Sequence, residues 1–71
     1  MTKKQAVLDK LAEALTIALD QQISCKIDKD DAWVIVSYAK SGYKQLICVT
    51  MDGPVAMMVN VLDKIRCFEE D

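Results

Sequence analysis

Apolar side chains recur every three or four positions through the first twenty residues. Leu8, Leu11, Leu15, Ala18 and Leu19 fall on one side of a helical wheel, flanked by Val7, Ala12 and Ala14. Asp9, Glu13, Thr16 and Asp20 fall on the other. The spacing predicts an amphipathic helix over residues 3–20. Thr2, followed three positions later by Gln5, matches a capping box, which pairs the open amides of a helix start. Ile17 breaks the apolar stripe and is expected at the solvent edge.

The period then shortens to two. Ile23, Cys25 and Ile27 alternate with Ser24, Lys26 and Asp28, so residues 23–28 read as a half-buried strand. Asp28-Lys29-Asp30-Asp31 is a polar turn. Trp33 to Tyr38 is rich in β-branched and aromatic residues and predicts a strand over 32–39. Lys40-Ser41-Gly42 follows, with Gly42 suited to the left-handed position of a hairpin loop. A third strand spans 43–51. Asp52-Gly53-Pro54 ends it and opens a second helix over 54–68, with Pro54 first and Asp52 or Gly53 as cap. On that helix Met58, Val61, Leu62 and Ile65 make the expected core stripe. Val55 and Val59 widen it on one side, Met57 and Phe68 on the other, and Asn60, Asp63 and Lys64 mark the wet side. The acidic tail Glu69-Glu70-Asp71 opposes the helix dipole and is expected to fray.

Helix, three strands joined by short turns, helix: the order predicts a two-layer α+β domain. Its sheet is a three-stranded antiparallel meander with both helices on one face. The 71 residues bound the chain to one domain. Such an architecture needs apolar residues at alternate strand positions only. The second strand does not comply. If Val34, Val36 and Tyr38 face the helices, Trp33 and Ile35 face away. The third repeats the excess, with Leu46 and Cys48 on one side and Ile47, Val49 and Met51 on the other. Spare apolar surface on a small protein marks an interface. Trp33 is the preferred anchor, with Ile35, Leu46 and Cys48 as neighbours; the competing reading places Trp33 in the core under the helices. A homodimer, formed through the open sheet face or an edge strand, is the expected partner arrangement. The stripe Asp9, Glu13 and Asp20 is either a solvated helix face or a contact for a partner with a basic surface.

Composition narrows the chemistry. The chain has no His, which removes the usual general base and imidazole ligand, and its two glycines exclude a phosphate-binding loop. No serine has a base beside it in the pattern, so neither an enzyme nor a cofactor site is expected. Cys25, Cys48 and Cys67 form no paired motif and read as small buried hydrophobes in a reducing cytosol. Zinc would need a fourth ligand and tighter spacing. The acidic turn departs from a calcium loop, since its fifth and sixth positions are Ala32 and Trp33. The longest unbroken apolar run, Ala32 to Val36, is far short of a membrane span, and a cytoplasmic location is expected.

The α-β-β-β-α order and the length resemble the double-stranded-RNA-binding domain. That family grips phosphates with lysines at the start of its second helix. The matching segment here, Gly53-Pro54-Val55-Ala56-Met57-Met58, has no basic residue, and Asp52 precedes it. With a net charge of −2, nucleic acid is an unfavoured partner. In size and charge the chain is also similar to small acidic inhibitors such as the anti-CRISPR proteins. The expected function is therefore a small non-enzymatic protein-interaction module, an adaptor, inhibitor or regulator that acts by occupying a surface. The alternative is a nucleic-acid-binding domain that lacks the basic cluster.

Overall fold

The computed structural model describes residues 3–70, with the backbone alone at Glu70. The elements are α1 (Lys3–Leu19), β1 (Ile23–Ile27), β2 (Trp33–Tyr38), β3 (Tyr43–Cys48) and α2 (Pro54–Glu70). The three strands form an antiparallel meander in the order β1-β2-β3. This is the α+β architecture the pattern predicts, with each strand a residue or more shorter.

Local chemistry sets the boundaries. α1 stops at Leu19 because Asp20 takes a left-handed backbone, φ 53°, a conformation Asp tolerates better than most residues. The β1–β2 turn is organised by Asp28. Its carboxylate accepts from the N–H of Ala32 at 2.9 Å and of Trp33 at 3.3 Å, and its own N–H donates to the Trp33 carbonyl. Asp31 supplies the left-handed position, φ 55°. The β2–β3 loop closes with Gly42 at φ 74°, its N–H on the Tyr38 carbonyl at 2.8 Å, as the sequence pattern anticipates. β3 ends at Cys48. Val49 still pairs with Ala32, but Asp52 N–H then folds back onto the Val49 carbonyl. Met51, expected to face the helices, sits exposed in that turn. Gly53 caps α2 through its carbonyl, which accepts the Met57 N–H at 2.9 Å. The helix continues through Glu70, past the expected end; Asp71, like Thr2 of the expected capping box, lies outside the described residues.

One cluster forms the core. Ile23 and Cys25, then Val34, Val36 and Tyr38, then Ile47 and Val49 face Leu8 and Leu15 of α1 and Met57, Val61 and Ile65 of α2. Both helices therefore cover the same sheet face. The buried stripe of α2 is rotated from the expected one. Met57, Val61 and Ile65, spaced by four, carry it, while Met58 is half-buried and Leu62 largely exposed. On α1, Ala18 is exposed rather than covered, and Ile17 is exposed as expected.

Three polar side chains join the layers: Thr16 and Asn60, expected on the wet sides of their helices, and Gln5, expected in the capping box. Thr16 Oγ1 accepts from Ile23 N–H at 3.1 Å while donating to the Ala12 carbonyl at 2.7 Å. Gln5 reaches β1, its Oε1 accepting from Ile27 N–H at 3.1 Å and its Nε2 donating to the Cys25 carbonyl at 3.2 Å. Asn60 Nδ2 donates to the Cys48 carbonyl and to Asp52 Oδ2, both at 3.1 Å, tying α2 to the end of β3. At the other end of α2, Phe68 stacks on Tyr38 and Tyr43, with centroids 4.6 and 4.9 Å away. The Tyr38 hydroxyl donates to Gln45 Oε1 at 2.7 Å.

Candidate interaction surface

The strand register decides what the uncovered sheet face carries. Trp33 lies opposite Cys48, and Ile35 lies between Lys26 on β1 and Leu46 on β3. Ser37 lies between Ser24 and Lys44. These residues alternate with the core positions, so they point away from the helices. The structure thus brings together Trp33, Ile35, Leu46 and Cys48, although they come from separated parts of the chain. Trp33 is 45% exposed and Leu46 63%, Ile35 is half-buried and Cys48 exposed. The core alternative for Trp33 is thereby corrected. Val34, not Trp33, occupies the buried position, because the turn residues Asp28 to Ala32 fix the phase of β2.

Around this apolar group the face is cationic. Lys26 and Lys44 flank it, and no strand residue pointing that way is a carboxylate. Cys48 has a polar neighbour in Thr50, whose Oγ1 lies 3.4 Å from its Sγ and holds the thiol below its ordinary pKa. Only Cys25 meets the expectation of three buried cysteines. Burial, with the Asp9 carboxylate adding to it, pushes its thiol up to about 11. Cys48 sits on the uncovered face and Cys67 on the outer side of α2, both exposed.

Asp9, Glu13 and Asp20 are all exposed. Asp9 and Glu13 line a groove of about 690 Å³ between α1 and β1, together with Thr16, Ile17, Ser24 and Lys26. Asp9 accepts from Gln5 Nε2 at 2.8 Å, and Glu13 lies 3.6 Å from Lys10 Nζ. Asp20 is beyond the helix end and does not line the groove. Two of the three acids are thus engaged locally, in contacts of low energetic value at this exposure.

A second apolar surface lies on the helix layer, where Val55, Val59 and Leu62 are exposed on the outside of α2. It corresponds to the excess visible on the helical wheel. Among the described residues, no three His, Cys, Asp or Glu side chains converge on a metal-sized site, and no helix is long and apolar enough to cross a membrane. Compared with known protein families, curated proteins and solved structures, the chain matches none.

Proposed function

We propose that the protein is a small non-enzymatic interaction module that works as a homodimer and covers a partner's surface with its open sheet face. One observation carries the reading: Trp33, Ile35, Leu46 and Cys48 adjoin across β2 and β3 on the face the helices leave bare. Large aromatics at the centre of an apolar patch dominate protein–protein affinity, and charges at its rim steer and select. Lys26 and Lys44 are such a rim, so the fitting partner surface is apolar with acidic borders.

The test is capture from a lysate of the source cell on immobilised wild type, Trp33→Ala and Ile17→Ser. Trp33→Ala is expected to reduce retention of a specific protein by about tenfold or more. Ile17→Ser, on α1 and not on the sheet, is expected to leave it unchanged. Retention equal in all three, or none by the wild type, overturns the assignment of the face. A second reading, nucleic-acid binding, is favoured only by the presence of Trp33, Lys26 and Lys44 on one sheet face whose strand residues include no carboxylate. It predicts salt-sensitive retention on duplex RNA or single-stranded DNA, and no retention at low salt removes it.

A further inference from the structure

The two edges of the sheet differ. Along β1 the backbone groups turned away from β2 belong to Ile23, Cys25 and Ile27. Side chains of α1 take several of them: Thr16 takes Ile23 N–H, and Gln5 takes Ile27 N–H and the Cys25 carbonyl. Along β3 the ladder to β2 runs through Tyr43, Gln45 and Ile47 and continues at Val49, whose N–H donates to the Ala32 carbonyl at 2.8 Å. The alternation of an antiparallel ladder then turns the backbone groups of Lys44, Leu46 and Cys48 outward. The Cys48 carbonyl receives Asn60. The N–H and C=O of Lys44 and Leu46 have no partner among the described residues. β3 has no proline to blunt it, and Lys44 is its one charged residue. An edge of this kind is a template for another strand.

We propose that β3 pairs antiparallel with β3 of a second copy of this chain, about a two-fold axis at Leu46. The outward residues are evenly spaced with Leu46 in the middle, so the set is complementary to itself. Leu46 meets Leu46 of the second copy, and Lys44 meets Cys48. Every outward N–H then has a carbonyl opposite, the Cys48 carbonyl using its second lone pair. A two-fold at Lys44 would oppose two lysines, which costs energy, and one at Cys48 would leave Lys44 without a partner. The register at Leu46 avoids both. It also aligns one row across six strands: Lys26, Ile35, Leu46, then Leu46, Ile35 and Lys26 of the second copy. The apolar strip doubles in length and gains a lysine at each end. In that last respect the inference rests on the interaction reading above; the pairing itself does not.

Light scattering on the eluting protein, across about a tenfold concentration range, separates the two. Lys44→Pro removes an outward N–H and no bond of the β2–β3 ladder, while leaving the face residues in place. It is expected to weaken the dimer by about tenfold or more with an unchanged circular dichroism spectrum, whereas Trp33→Ala leaves the dimer intact. Should Lys44→Pro fail to fold, Leu46→Cys carries the test in a Cys48→Ser, Cys67→Ser background. Opposed residues about 5.5 Å apart at Cα permit a disulfide, so mild oxidation with oxidised glutathione is expected to crosslink most of the protein. Trp33→Cys in the same background is expected to stay monomeric on denaturing gels. A monomeric wild type, or a dimer that Trp33→Ala dissociates and Lys44→Pro does not, overturns the pairing. The capture experiment judges the face independently of either result.

Discussion

Asp28 shows how one side chain sets the phase of a strand. Its carboxylate holds the N–H groups of Ala32 and Trp33, and the first of these bonds is the main cause that keeps its pKa below the ordinary carboxylate value. A depressed folded-state pKa means stability that is present above the unfolded value and lost as pH falls through the folded one. Asp28→Ala is therefore expected to lower the thermal midpoint at neutral pH. The gap to wild type should close below about pH 4. A gap that stays constant down to pH 2 would show that the carboxylate does not hold the turn. The polar turn itself was legible from Asp28-Lys29-Asp30-Asp31. Thr16 and Asn60 were not legible in the same way. A helical wheel assigns a residue to a side by angle alone. Both lie at the border of the buried arc, where a short polar side chain reaches a backbone group of the neighbouring layer instead of water.

At the scale of elements, the pattern located all five because each carries a clear period and a stop: the change of period around Gln21-Gln22 after α1, Gly42 between β2 and β3, Pro54 at the start of α2. The rotation of α2 was less accessible. Its apolar residues cover a wide arc, so several stripes are equally apolar, and the choice falls to tertiary contacts. Phe68 stacking on Tyr38 and Tyr43 at one end, and Asn60 bound to Cys48 and Asp52 nearer the other, turn Met57, Val61 and Ile65 inward. Alternation in a strand permits only two assignments, so Trp33 and Ile35 could be grouped from the pattern, while the side that the helices cover could not be chosen from it. Gln5 acts at this scale too, as a surrogate strand along β1. Gln5→Ala is expected to cost about 1–2 kcal/mol in urea unfolding. It should also speed hydrogen exchange at Ile27 while leaving the β2–β3 amides protected. Unchanged exchange at Ile27 would contradict that role.

The whole molecule has one small core, and two ionisable groups sit inside it as neutral acids. Burial pushes Cys25 up to about 11, and Tyr38, with Glu69 adding repulsion, up to about 12. A raised folded-state pKa gives stability that is complete below the unfolded value and lost as pH rises through the folded one. The thermal midpoint is expected to hold to about pH 9 and then fall toward pH 12. Tyr38→Phe should flatten the part of that fall above about pH 10; parallel curves for the two proteins would assign the loss elsewhere.

The side chains that occupy β1 also limit growth. A sheet with two open sides adds copies without end, and the product is a fibre. Gln5 and Thr16 take several of the outward groups on one side of this sheet, so that side is a poorer template than β3. In the proposed pairing a second copy would arrive with its own covered side outermost, and the series would terminate at two.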